Sequence, residues 1–497
     1  MSTTIIQDIL GRYEGLAQHL SVASFASTVQ ARGELVALSR RYVDGNQRNF
    51  MSSHMRAILN VNQAPLSQRA SDDLNRAGAG LTQDFSVNYC GKVVSAITDR
   101  LAVERFALTG ASDAETATLQ AWADDLLARE NFDQLQELVY DASVGDGEAY
   151  VMASWDNDAG QCHLYAEGAY NAVSGIIPVY YATNLLLAIK MWRLIDDDSD
   201  SSVVRVNVYT PTEVARFIVV DNQLRAYTEE GKEAVELWDV DELPVVAFTN
   251  RSRIDTQRGM SEIEDIIPLQ DALNRTMYSM VAAAELTGFG LYIAKGFNAP
   301  ASVQPGQWIT ISQDGQPVAS SVGGEGVFEP GVEKLQAETP EAYVSVANWM
   351  IEQISQISDT PLPTLMGGTT ASGEALKQRE IGLLGKIRSA QNTYGAAWER
   401  VIRLAIKVHN TYGLDTLPEP TSIRAQWRDA QLRNDDQITK AAVLLAEKNL
   451  IDQKTALRIV APIFGWSEDE LNDIVAGTQA QNAATFQTLL STGFNTL

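Results

Sequence analysis

Two runs of helical apolar periodicity bracket a short stretch rich in Gly, Pro and β-formers, and no other pattern constrains this chain as tightly. From Met260 to about Leu286, the residues Ile263, Ile266, Ile267, Leu273, Met277, Met280 and Ala284 share one broad helical face. From Thr339 to Ser358, Val344, Ala347, Ile351, Ile354 and Ile357 do the same. Thr339 reads as an N-cap, with Pro340 in the favoured first helical position. Between the runs, Trp308-Ile309-Thr310-Ile311 reads as a strand and Asp314-Gly315 as a turn. Two long helices joined through a small β module are therefore expected.

The flanking sequence changes period twice. Up to about Asp141 it reads as helices, with Leu35, Leu38 and Tyr42, and then Cys90, Val93, Val94, Ile97 and Leu101, at helical spacing. Ser112 followed by Glu115 reads as a capping box opening a helix with Leu119, Trp122 and Leu126 on one side. From Glu148 to Asn250 short β-rich runs alternate with turn signals, a meander. Its strands are Tyr150 to Trp155, Cys162 to Tyr165, Val203 to Tyr209, Phe217 to Val220 and Leu224 to Tyr227, with turns at Asn157 to Gly160 and at Asp221-Asn222. The acidic run Asp196 to Asp200 reads as a solvated hairpin tip.

Beyond Ser358, Asp359-Thr360-Pro361-Leu362-Pro363 breaks the second long helix, and Met366-Gly367-Gly368-Thr369-Thr370 reads as flexible. A third helix is expected from near Ser372 to about Asn410, with Gly382, Gly385 and Gly395 as possible bends and a stop before Gly413. From about Asp429 the chain is helical again and ends in a polar tail. The fold class expected is α+β, mainly helical, and 497 residues suffice for two to four domains.

Charge narrows the function. With 38 Lys and Arg against 63 Asp and Glu, the net charge is −25, the wrong sign for a freely diffusing nucleic-acid binder. DNA met by such a chain would be passed rather than held. The stretch Leu376 to Asn410 runs against this balance. There Lys377, Arg379, Lys386, Arg388, Arg400, Arg403 and Lys407 outnumber Glu380 and Glu399, and pairing with acidic neighbours is the favoured use of that face. Gly168 to Ile189 carries no charge but contains Gly175, Pro178, Asn171 and Asn184, so buried strand and loop are expected rather than a membrane span. The sequence predicts a soluble protein without a signal peptide. Cys90 and Cys162 cannot build a disulfide framework and fit a reducing compartment.

Chemical motifs are missing or incomplete. Gly368-Thr369-Thr370-Ala371-Ser372-Gly373 mimics a phosphate-binding loop, but Glu374 and Ala375 stand where Lys and Ser or Thr are needed. His19, His54, His163 and His409 are scattered, with no metal-ligand spacing. Glu262, Glu264 and Asp265 cluster at an expected helix start, where the helix dipole accounts for them. No enzyme is predicted, and no catalytic, cofactor or metal site.

Three groups of segments, in this order, resemble the tailed-bacteriophage portal protein (head-to-tail connector) family of the SPP1-like type. The first is Glu242-Leu243-Pro244-Val245-Val246-Ala247-Phe248-Thr249-Asn250-Arg251, continued by Gly259 to Asp265 and Leu269 to Thr276. The second is Ser372-Gly373-Glu374-Ala375-Leu376-Lys377 with Tyr394-Gly395-Ala396-Ala397-Trp398-Glu399, and the third Trp427-Arg428-Asp429-Ala430. The sequence departs from the family's usual Pro at Ala371 and Phe at Tyr394.

The resemblance implies a portal fold of wing, stem, clip and crown that assembles as a ring. Residues 1–259 would form the wing, 260–288 and 339–358 the two stem helices, 289–338 the clip, and 359–371 the tunnel loop. Residues 372–428 would return to the wing, and 429–497 would form the crown and tail. Ile263, Ile266, Leu273, Met277, Ile351 and Ile354 would carry the stem. Pro361, Leu362, Pro363, Met366, Gly367, Gly368, Thr369 and Thr370 would line the DNA channel. The implied setting is the virion, at one capsid vertex, after assembly in the host cytoplasm. The implied partners are eleven further copies in a dodecamer and double-stranded DNA passing without sequence preference. Terminase large subunit, a head-completion adaptor, and major capsid and scaffolding proteins complete the set. A ring-forming head–tail adaptor or scaffold without a DNA channel is the competing expectation.

Overall fold

The computed structural model describes residues 3–13, 21–45, 87–181, 184–195, 202–220, 223–228, 233–253, 258–289, 291–295, 308–311, 331–335, 340–367, 380–430, 435–448, 450–464 and 471. It is a mixed helix-and-strand chain in two compact units, Met1–Arg428 and Asp429–Leu497.

Among the described residues the larger unit shows two cores. In the first, α1 (Thr3–Arg12) and α2 (Val22–Val43) pack on a six-stranded antiparallel sheet. Its strands are β4 (Gly175–Tyr181), β5 (Asn184–Ile195), β6 (Ser202–Tyr209), β7 (Glu213–Val220), β8 (Gln223–Ala226) and β9 (Val235–Leu237). Ile6, Ile9 and Leu10 meet Val179, Leu187, Ile189, Val206 and Val208, every one of them essentially without solvent contact. The described part of the uncharged stretch from Gly168 is thus sheet and loop, with Ile176, Ile177, Val179, Leu187 and Ile189 buried but Val173 and Tyr181 exposed. No described helix is long and apolar enough to cross a membrane.

The second core surrounds α9 (Ile381–Tyr412), whose described part runs unbroken through Gly382, Gly385 and Gly395 and ends ahead of Gly413. It packs against β2 (Glu148–Asp156), β3 (Gln161–Gly168), β10 (Val245–Thr249) and α5 (Phe132–Asp146), and β10 and β3 flank β2 in a three-stranded sheet. Trp398 sits edge-on to Phe132 and Phe248 and donates from its indole N–H to the Tyr140 hydroxyl at 2.9 Å. Buried Tyr394 and Ser143 are joined by a 2.9 Å hydrogen bond between their hydroxyls. Near this core α3 (Tyr89–Thr98) buries Cys90, Val93, Val94 and Ile97 on one face. Cys90 and Cys162 are both buried and free.

Two expectations for this unit need correction. The helical reading before Asp141 fails at β1 (Val103–Thr109), which pairs antiparallel with β14 (Ser422–Trp427). Val103, Phe106 and Leu108 are buried, and a partner strand far along the chain overrides local propensity. The first long helix, α6 (Ile267–Phe289), starts at Ile267 rather than Met260, and residues 262–266 form turns. Pro268 explains this: it has no N–H and its ring would collide with a carbonyl one turn back, so it belongs in a first turn.

Other local readings hold. Ser112 accepts from the Glu115 N–H and opens α4 (Asp113–Arg129), while Glu115 reaches back to the Ala111 N–H at 2.8 Å. Asn157 to Gly160 turns between β2 and β3. β5 and β6 pair from Ala188–Tyr209 to Ile195–Ser202, while the Asp196–Asp200 tip lies outside the described residues, as do Asp221-Asn222 and Asp314-Gly315.

In the smaller unit, α10 (Asp435–Glu447) and α11 (Gln453–Phe464) pack as a pair, burying Ala442, Leu457, Val460 and Ala461.

Candidate functional site

The helix pair α6 and α7 (Pro340–Ser358) packs side by side, and the strands of a small sheet lie between them in sequence. β11 (Leu291–Lys295) is the central strand, parallel to β12 (Trp308–Ile311) and antiparallel to β13 (Gly331–Leu335). Leu273, Ile351 and Ile354 are buried and Met277 is half-buried. Thr276 reaches across to the Met350 sulfur at 3.8 Å. Ile263 and Ile266, expected on this helix, instead lie in the turns before it, fully buried at the root of the hairpin. Val344 and Ile357, expected within the apolar stripe, are exposed, as are Val346 and Trp349.

The first turns of α6 are rooted by polar side chains without solvent contact. Gln270 accepts from the Tyr89 N–H at 2.9 Å and donates to the Val87 carbonyl at 2.7 Å, and Asn274 accepts from the Val87 N–H. Asp271 accepts from the Tyr42 hydroxyl. Burial pushes the Asp271 carboxyl up to about 6, with the Tyr42 hydrogen bond opposing.

A second set of contacts gathers the root of α6, the end of α7 and the start of α9. Lys386 on α9 binds the carboxylate of buried Glu262, donates to the Ser358 carbonyl at 2.8 Å, and lies 3.4 Å from Asp359. Asn250 and Arg251 also approach Glu262, at 3.4 and 3.9 Å. The sequence placed Glu262 on a helix dipole; the structure gives it a cation 124 residues further on instead. Asp359 adopts a left-handed backbone with φ 54°, turning the chain out of α7.

After this turn, Leu362–Met366 forms one helical turn, α8, where a flexible stretch was expected from Met366. Leu365 is buried, and Lys92 on α3 donates to its carbonyl at 2.6 Å. Pro361 is buried, Leu362 and Pro363 are half-buried, and Met366 and Gly367 are exposed. Gly368, Thr369, Thr370 and the expected start of the third helix at Ser372 lie outside the described residues. Just beyond them, Glu380 pairs with Arg100 at 3.1 Å. Three cations, Lys92, Arg100 and Lys386, therefore hold the described residues on both sides of that segment to the body.

The basic excess on α9 divides in two. Lys386 and Lys407 pair with acidic residues of the same chain, the latter with Glu242. Arg388 and Arg400 are exposed, with no ion pair among the described residues. His163 lies 2.8 Å from Glu130, and His409 packs edge-on against Trp122 and Trp155; His19 and His54 lie outside the described residues. Among the described residues no group of three or more His, Cys, Asp or Glu could hold a metal ion.

The two helices, with three strands between them in sequence, are thus rooted in an α/β body. The family model for phage portal proteins of the SPP1 Gp6-like type matches residues 75–483. The chain belongs to this family. The portal protein of Mycobacterium phage L5 is 24% identical over 419 residues, covering 77% of this chain and 79% of its own. The portal protein of Mycobacterium phage D29 is 25% identical over 360 residues, 69% of each chain.

Proposed function

We propose that this chain is the repeating subunit of a ring at one vertex of a phage capsid, with a central channel through which the genome is packaged, retained and ejected. In this reading α6 and α7 are the stem, the β11–β13 sheet belongs to the clip, and residues 1–259 and 372–428 form the wing. Residues 429–497 form the crown and tail, and 359–371 the tunnel loop facing DNA. The ring is dodecameric, the clip receives the terminase large subunit and later a head-completion adaptor, and the wing meets major capsid and scaffolding proteins. The subunit has a structural role in the virion after assembly in the host cytoplasm.

The observation that carries this reading is the family match over 75–483, spanning both helices of a hairpin whose second helix exposes Val344, Val346, Trp349 and Ile357. Of these, Val346, Trp349 and Ile357 share one helical face, and large apolar side chains exposed together call for a partner, which identical copies packed head to tail supply while closing into a ring. The acidic balance suits a wall past which phosphates slide without sticking.

Electron microscopy with mass photometry of the purified full chain tests the proposal. Rings with a central channel and a mass near twelve subunits support it. Compact oligomers without a channel favour a head–tail adaptor or scaffold.

A further inference from the structure

A cleft of about 510 Å³ opens where the two cores of the larger unit meet, a size that suits a small organic molecule. α2 and α5 supply one wall through Val36, Arg40 and Asp146, and β3 and β5 supply another through Glu167, Lys190 and Trp192. The turn between β3 and β4 fixes the shape of this second wall. Asn171 accepts from the Val173 and Ser174 N–H groups at 3.1 and 2.9 Å. Gly175, at φ 114°, approaches Ala169 so closely that a Cβ would lie 2.4 Å from the carbonyl oxygen.

The charges around the cleft do not balance. On the first wall the Arg40 guanidinium is shared by Asp141 at 2.5 Å, Asp146 at 2.8 Å and Asp44 at 3.9 Å. Asp146 is 8% exposed, and its Oδ1 has no hydrogen-bond partner among the described residues. Burial, opposed by Arg40, lifts its carboxyl to about 6. On the second wall Lys190 donates to Oε1 of Glu167 and lies 5.3 Å from the centre of the Trp192 ring. Across these pairs two cations, Arg40 and Lys190, face four carboxylates, Asp44, Asp141, Asp146 and Glu167, which leaves −2. A buried carboxylate with only a share of one guanidinium is incompletely compensated, so further positive charge is wanted here.

We infer that this cleft is a binding site for a small aliphatic diamine, one ammonium completing the Asp146 carboxylate and the other taking Glu167 beside Trp192. Ammonium groups are charge-assisted donors to carboxylates, and an indole face attracts a cation. The methylene chain between them suits the apolar lining from Val36 and Met191. Among the described residues no group of three or more His, Cys, Asp or Glu could hold a metal ion, which selects an organic cation over a bare one. The site lies within one subunit, and it does not depend on the ring.

Calorimetric titration of the purified full chain with 1,4-diaminobutane at pH 8, against potassium chloride at matched ionic strength, tests the site. Saturable binding is expected, with n-butylamine weaker by about tenfold because it engages one carboxylate only. Glu167→Gln is expected to weaken the diamine by about tenfold as well, whereas Lys190→Met, which frees Glu167, should tighten it. Should Glu167→Gln fail to fold, Asp146→Asn removes the other anchor and is expected to weaken binding too. Heat that follows ionic strength alone, or variants that bind like the parent, overturns the site. Equal affinity for n-butylamine and the diamine overturns the pairing of two carboxylates with two ammoniums. Self-association that Glu167→Gln abolishes, with no heat from the diamine, would assign the cleft to a lysine of a second copy and overturn the free-amine reading.

Discussion

Gly259 and Gly147 touch through their backbones: a Cβ on Gly259 would lie 1.7 Å from the Gly147 carbonyl oxygen. Gly147, at φ 96°, ends α5, and its carbonyl accepts the Asn250 N–H at 2.8 Å, so neither chain can move aside cheaply. Gly259→Ala is expected to destabilise the protein by at least about 3 kcal/mol, the upper range for overpacking a closed contact. Chemical denaturation of the purified subunit measures it, and a loss under about 1 kcal/mol would contradict the contact.

Lys386 and Glu262 should behave as a coupled pair. Lys386→Met leaves the Glu262 carboxylate buried, with only Asn250 and the more distant Arg251 facing it, which costs about 3 kcal/mol. Adding Glu262→Gln removes that charge, so the double variant is expected to be more stable than Lys386→Met alone. Additive losses in a double-mutant cycle would show the two to be independent.

Stability should fall as pH rises through the range near 6. Burial raises both Asp271 and Asp146 from 3.8 to about 6, the latter against the pull of Arg40. Between these values the folded chain holds protons that the unfolded chain has released. The contribution is therefore complete below about 4 and lost above about 6. Asp271→Asn keeps an acceptor for Tyr42 without the charge. At pH 8 it is expected to match or exceed the parent in stability, and at pH 4 to lose that advantage. Unfolding midpoints across this range check the sign.

Lys92→Met should loosen α8 without unfolding the body, since the lysine's described hydrogen bond is to the Leu365 carbonyl. Faster hydrogen exchange confined to 362–367 is the expected signature. Unchanged exchange there would mean that buried Leu365 alone holds the turn.

Trp349→Ser tests the apolar face of α7. The side chain is 54% exposed, so folding stability should change by less than about 0.5 kcal/mol. Ring assembly should weaken by about 2 kcal/mol or more if the indole anchors a neighbouring copy. Sedimentation of parent and variant at equal concentration separates the two effects.

What could be read from the sequence was local. Ser112 and Glu115 stand three residues apart, so their cap is visible, and so is the strand–turn–strand rhythm after Glu148. Lys386 and Glu262 meet only through tertiary structure, so a basic excess could be counted but not assigned. Arg258 is similar: its charge is plain in the sequence, while its burial beside Phe25, far away along the chain, is not. Pro268, by contrast, is a local signal: its missing N–H places it in the first turn of α6.

The pairing of β1 with β14 sets a timetable for making the protein. Arg105 and Gln426 meet across that pair, 321 residues apart. At ribosomal speeds of about 5–20 residues per second, β1 waits on the order of tens of seconds for its partner. Throughout that interval Phe106, which the finished fold seals completely, stands on an unmatched strand edge beside other newly made copies. In the proposed ring, this closure within each chain therefore has to precede assembly.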